Sequence, residues 1–181
     1  MKISAYIATS LDGFIARKNG DLDWLPGSDG TNDSGEDFGF SEFMASVDVL
    51  VMGRNTFDLV LTFGKWPYAD KAVIVLSRQL SRLPKNTPDS VTLKSCSIDE
   101  LCVELEQAGV KHVYVDGGKT IQNFLNAKQL DEITITRVPV LIGGGIALFG
   151  ELENDIPLRH LHTIPFHNGF VQSKYRIINK I

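Results

Sequence analysis

The chain has 181 residues, 43% apolar and 22% charged, with a net charge of −4. That length fits one domain, residues 1–181, and the acidic balance argues against nucleic-acid affinity without opposing a local basic pocket. No apolar run approaches the ~18 residues of a membrane span, and the amino terminus, broken by Ser4, Thr9 and Ser10, reads as a strand rather than a signal peptide.

Ile3–Ala8 is a first, central strand. Thr9–Pro26 carries the breakers Asp12-Gly13, Asn19-Gly20 and Pro26-Gly27 and reads as a long shaped loop, a length that usually signals function. Gly27–Glu36 has no apolar residue and reads as mobile surface. Phe38, Phe40, Phe43, Met44 and Val47 then mark an amphipathic helix, with Asp33 or Ser34 as its cap. Asp48–Met52 is a buried strand, followed by Gly53-Arg54-Asn55-Thr56 and a helix through Phe57, Val60 and Leu61. Ala72–Leu76 and Val91–Leu93 are further strands. Ser97–Ala108 is a helix whose Ser97 and Glu100 form a capping box and whose end is closed by Gly109.

His112–Val115 is the next strand, and it turns through Asp116-Gly117-Gly118 into a helix over Lys119–Leu125. Glu132–Val138 is another strand, whereas Pro139–Gly150, with Gly143-Gly144-Gly145, is irregular. Leu158–Phe166 and Phe170–Ile178 pair as an antiparallel hairpin through Asn168-Gly169. Strands alternating with helices imply a three-layer α-β-α domain, its central sheet mostly parallel and its edge the antiparallel C-terminal hairpin.

A strand that turns through glycines into a helix leaves the first helical N–H groups aimed at one spot, which the helix dipole makes suitable for a phosphate. Glycine there lets a pyrophosphate approach the backbone. Gly117-Gly118 is such a turn, although an ordinary βα turn reads the same way. Met52-Gly53-Arg54-Asn55-Thr56 repeats the logic and adds an arginine fork and a hydroxyl. Leu76-Ser77-Arg78 puts another hydroxyl and arginine at the end of the next strand, where a doubly wound sheet binds ligands. Three strand ends offering anion donors suit a cofactor with a pyrophosphate and a ribose 2′-phosphate.

Together these motifs resemble the dihydrofolate reductase superfamily, and most closely its riboflavin-biosynthesis reductase branch. The resemblance runs over nearly the whole chain: Ile3–Ile15, Val51–Phe57, Val75–Arg78, Asp116–Lys119, and Leu141–Gly145 with Leu148-Phe149. It implies a dihydrofolate reductase-like fold, a cytoplasmic homodimer and an NADPH-dependent reductase of a small heterocycle of pterin or aminopyrimidine type, such as 5-amino-6-(5-phosphoribosylamino)uracil. The alternative is an NADP(H)-binding protein of the same fold without reductase chemistry. By the resemblance, Gly53, Arg54, Asn55 and Thr56 hold the pyrophosphate and adenosine side of NADPH, and Leu76, Ser77 and Arg78 the 2′-phosphate and adenine. Val115, Gly117, Gly118, Lys119, Thr120 and Ile121 take the pyrophosphate from the other side, and Ala8, Ile15 and Asn19-Gly20 line the nicotinamide.

The same resemblance makes Asp37 the carboxylate that grips the heterocycle and Thr136 the hydroxyl that supports it; Asp37 reads equally as an acid that complements the helix dipole. Two departures bear on the substrate. Lys71 beside Asp70 stands where folate reductases carry an arginine for the glutamate tail, and lysine cannot form the bidentate fork. Gly27–Asp37 is acidic where a phosphoribosyl group wants basic residues. Trp24 and Trp66 either stack on a ring or plug the core. His160 and His162 share a strand face but lack the further ligands of a metal site, so they read as exposed strand residues. Cys96 and Cys102 read as reduced thiols.

Overall fold

The computed structural model describes residues 1–26, 35–69, 71–152 and 154–178, so the expected caps Asp33 and Ser34, Asp70 and most of the acidic 27–36 stretch lie outside the described residues. In chain order the elements are β1 (Lys2–Ser10), β2 (Phe14–Ala16), α1 (Phe40–Ser46), β3 (Val49–Gly53), α2 (Arg54–Leu61), β4 (Ala72–Leu76) and β5 (Val91–Lys94). They continue with α3 (Ile98–Gln107), β6 (His112–Asp116), α4 (Gly118–Asn126), β7 (Glu132–Val138), β8 (Ile146–Ala147), β9 (Leu158–Pro165) and β10 (Val171–Ile177).

Eight strands form one sheet in the order β5-β4-β3-β6-β1-β7-β10-β9. The first six are parallel; β10 runs antiparallel to both β7 and β9. The mixed sheet with its antiparallel edge is thus as the sequence pattern expects, with β1 in the interior. Strands β3, β4 and β6 are continuous apolar runs because both of their faces are covered. On one face Val49, Val51, Val113, Val115, Ile133 and Ile135 meet Leu101 and Leu105 of α3 and Ile121 and Phe124 of α4. On the other, Leu50, Met52, Val73 and Val75 meet Phe57 and Val60 of α2.

Three local expectations change. The first loop is not irregular throughout: β2 lies inside it and pairs antiparallel with β8, inside the segment expected to be irregular. Helix α1 starts at Phe40, later than its apolar pattern suggests, because Phe38 (φ 56°) and Gly39 (φ 82°) turn left-handed ahead of it. A bulge between Lys174 and Tyr175 shifts the β9–β10 register. It separates His160, whose ring packs on Tyr175, from His162, which faces the α1 side of the sheet.

Candidate functional site

Because β4, β3 and β6 are neighbours, Leu76, Gly53 and Asp116 end side by side. Helix α2 starts directly after Gly53 and α4 directly after Gly117, and neither start has a side-chain cap. Helix α3, by contrast, carries the full Ser97–Glu100 capping box. Two uncapped helix starts therefore converge, each with backbone N–H groups to offer an anion.

The two starts touch. A Cβ on Gly53 would stand 2.9 Å from Thr120 Oγ1, and one on Gly117 would stand 2.2 Å from Thr56 Oγ1. Gly117 also has φ 89°, and its N–H donates to Asp116 Oδ1 at 2.8 Å. The approach of α2 to α4 by itself requires a glycine at both positions. Burial pushes the Asp116 carboxyl above the usual range, against the Gly117 N–H and the hydroxyls of Tyr114 and Tyr68.

Around this junction Arg54, Asn55, Arg78 and Lys119 are exposed. Arg54 lies 3.9 Å from Asp58, a surface pair that restrains it little. Ser77 Oγ accepts from the N–H groups of Gln79 (3.2 Å) and Leu80 (3.1 Å), which fixes the turn that presents Arg78. Thr56 is half-buried and Thr120 buried between the helix starts. Val115 and Ile121 are fully buried core residues, so of the predicted contacts these two give backbone position and no side-chain surface.

A third wall comes from the first loop. Asp12 accepts from the Gly143 N–H (2.8 Å), the Ile142 N–H (3.3 Å) and the Ser10 hydroxyl (2.6 Å), which lower its carboxyl with the serine bond largest. Gln122 of α4 donates to Leu148 O at 3.0 Å. Gly145 is needed because a Cβ there would stand 2.2 Å from Ala16 O. Laced this way, Ile15 leans over Gly118, where a Cβ would meet Ile15 Cδ1 at 2.7 Å. Ala8 sits next to Thr136 across β1 and β7. The Asn19-Gly20 turn bonds locally, to Asp21 and Arg17. Neither Asp12 nor Gln122 belongs to a sequence motif beyond the Asp12-Gly13 chain breaker.

Asp37 is corrected. It is exposed, and its two oxygens accept from the Gly39 N–H (2.9 Å) and the Ser41 N–H (3.1 Å). A hydrogen bond from the Ser41 hydroxyl leads the causes that hold its carboxyl below the usual range. It does the work of a cap at the start of α1. Thr136 is buried, and its partner is Gln172, whose Nε2 reaches Thr136 Oγ1 (3.0 Å), Phe38 O (3.0 Å) and the Tyr6 hydroxyl (2.7 Å). Tyr6 in turn donates to Phe38 O. Gln172, which no motif marked, is the polar centre of this face; its one sequence signal is an amide in the inward phase of β10.

Lys71 Nζ donates to Val47 O at 2.5 Å, which ties it to the end of α1. Both tryptophans are plugs: Trp66 packs edge-on against Phe57 and Tyr68, and Trp24 lies with Val138 and Phe170. Among the described residues no cluster of His, Cys, Asp and Glu can hold a metal, and no helix is long and apolar enough to cross a membrane.

Comparison with known proteins agrees with this geometry. The family model of the RibD C-terminal domain matches residues 1–172. The uncharacterized protein YwjB of Bacillus subtilis (strain 168) is 34% identical over 172 residues, covering 91% of this chain and 92% of that protein. A crystal structure of a Shewanella sp. PV-4 protein ascribed to riboflavin biosynthesis superposes with a TM-score of 0.92 at 42% identity, over 99% of this chain and 100% of that one. Dihydrofolate reductase from Enterococcus faecalis, solved with NADP(H), shares the fold at a TM-score of 0.67 and 19% identity, over 98% of this chain and 97% of that one.

Proposed function

The chain belongs to the RibD C-terminal domain family, and from that premise we propose that it is an NADPH-dependent reductase of a small pterin- or aminopyrimidine-type heterocycle, working as a homodimer in the cytoplasm. The observation that carries the reading is the pair of uncapped helix starts joined at Gly53, Thr56, Gly117 and Thr120, flanked by exposed Arg54 and Arg78. That donor set fits an anionic dinucleotide. The pyrophosphate would lie against the starts of α2 and α4, and Ser77 and Arg78 would hold the ribose 2′-phosphate. NADPH supplies a hydride when bound. The chain's own part is to orient the nicotinamide end against Ala8 and Ile15 and to present the substrate beside Ala8 and Thr136, which are neighbours across β1 and β7.

Titrating wild type and Arg78→Ala with NADPH and NADH tests the cofactor. Losing a charge-assisted bond to the 2′-phosphate costs on the order of 1.5–3 kcal/mol. The NADPH preference is therefore expected to fall about ten- to a hundredfold, while NADH affinity stays the same. An unchanged NADPH/NADH ratio would refute the assignment. The second reading, cofactor binding without reduction, is favoured by the exposure of Asp37, since a reductase must deliver a proton and this carboxylate is tied up in capping. NADPH oxidation with dihydrofolate or the riboflavin-pathway pyrimidine separates the two. Turnover that survives Asp37→Asn would confirm the cap role, and tight NADPH binding without turnover on any such acceptor would favour the second reading.

A further inference from the structure

Away from the nucleotide junction, a cavity of about 400 Å³ opens on the α1 side of the sheet, over the amino-terminal halves of β1, β6 and β7. Its size is that of a small-molecule pocket. Lys2 and Ser4 line it at the start of β1, whereas the nucleotide junction forms at the carboxyl ends of β3, β4 and β6. The two sites use opposite ends of the parallel strands.

The cavity is built from two kinds of group. Its upper walls are aromatic: Tyr6 stacks on Phe43 with centroids 4.7 Å apart, and Phe38 meets Phe166 edge-on at 4.9 Å. Its lower end is cationic. Glu132, with only 9% of its side chain exposed, receives Lys2 (2.8 Å) and Lys174 (3.0 Å) on Oε2 and Arg176 (3.2 Å) on Oε1. Three cations around one carboxylate leave positive charge in excess, and Lys2 and Lys174, the two that line the cavity, each carry three N–H donors. The remaining titratable lining groups are His112, whose ring nitrogens bond Ser4 and Ser46, His162, and Glu42 on the exposed face of α1 at the mouth. Thr134, level with Tyr6 and Lys174 in the sheet, offers a hydroxyl to a ring substituent.

We propose that this cavity is a binding site for an aromatic acid, its ring held between the Tyr6–Phe43 and Phe38–Phe166 pairs and its anionic group on the ammonium groups of Lys2 and Lys174. Offset or edge-on contacts suit the ring, and two ammonium groups sharing one oxygen suit a carboxylate or a phosphate equally. The site stands on its own geometry and does not depend on the cofactor reading.

Isothermal titration of the full chain with 4-hydroxybenzoate, phenyl phosphate and benzamide tests it. At least one of the two acids should bind ten or more times tighter than neutral benzamide, and the stronger of the two identifies the anionic group. Lys174→Ala should weaken that binding at least tenfold, Lys174→Arg should keep it within a few fold, and Arg78→Ala should leave it unchanged. Thermal melts establish that each variant is folded, and Lys2→Ala replaces Lys174→Ala if the latter is not. The proposal fails if neither acid binds, if benzamide binds as tightly, or if the loss follows Arg78→Ala instead of the lysine variants. The last outcome would place the probe in the nucleotide junction. Titration with NADPH alone decides the cofactor reading separately.

Discussion

Gly117 shows how much a single backbone position decides. Its left-handed φ of 89° and its missing Cβ serve one purpose, the close seating of Thr56 against the start of α4. Gly117→Ala would incur a backbone penalty of ~1–3 kcal/mol, because φ 89° with ψ 135° suits glycine alone, together with overpacking of ~1–3 kcal/mol. We therefore expect a loss of about 2–6 kcal/mol in chemical denaturation, with weakened NADPH binding. Thr56→Ala in the same chain should restore part of the stability by removing the Oγ1 clash, while the φ strain remains. A Gly117→Ala protein within ~0.5 kcal/mol of wild type would contradict this account of the junction. Gln172 makes the complementary point, since one amide ties Tyr6, Phe38 and Thr136 together and no local pattern announces it.

Among the elements, β7 is the one most tightly bound to its neighbours through charge. Burial pushes the Glu132 carboxyl up, but the bonds from Lys2 of β1 and from Lys174 and Arg176 of β10 outweigh it and hold it at about 2. An unfolded glutamate titrates near ~4.3, so the group contributes at most about 3 kcal/mol, and less once solvent screens its half-exposed partners Lys2 and Arg176. The folded value is the lower one. That stability is therefore fully present above about pH 4.3 and is lost as the pH falls through about 2. Glu132→Gln should lower stability near neutrality by a similar amount and flatten the acid limb of the stability curve. Urea unfolding of both proteins across this pH range is the check, and parallel curves would show that Glu132 does not link the strands energetically.

For the molecule as a whole, the segment after β7 leaves an apolar surface: Leu141 is 70% exposed, and Ile146, Phe149 and Leu152 are exposed as well. Grouped apolar exposure of this kind marks an association surface. Under the homodimer reading, light scattering should give twice the monomer mass for wild type, and Leu141→Asp with Phe149→Asp should give monomers with NADPH affinity unchanged. A monomeric wild type would end that reading. The neighbouring Asp12, Gln122 and Gly145 contacts hold the segment from the inside, so the substitutions remove outward-facing groups only.

What could be read along the chain was what depends on near neighbours. The apolar runs of β3, β4 and β6, the alternating pattern of β7, the capping box of α3 and the Asn168-Gly169 turn involve residues a few positions apart, and the structure shows each of them. The family resemblance rested on such local motifs and implied the fold, whereas the order of the eight strands is read from the structure alone. The tertiary structure alone decided features that join distant positions. Ser97 and Asp37 each cap a helix, yet only the packed structure showed that Asp37 faces solvent while Thr136 is joined to Gln172, 36 residues away. The β2–β8 pair, the bulge that parts His160 from His162, and the meeting of Lys2 with Lys174 on Glu132 are equally non-local. Their physical reason is common: a hydrogen bond or ion pair needs donor and acceptor in one place, and the sheet register sets that place while local periodicity carries no record of it.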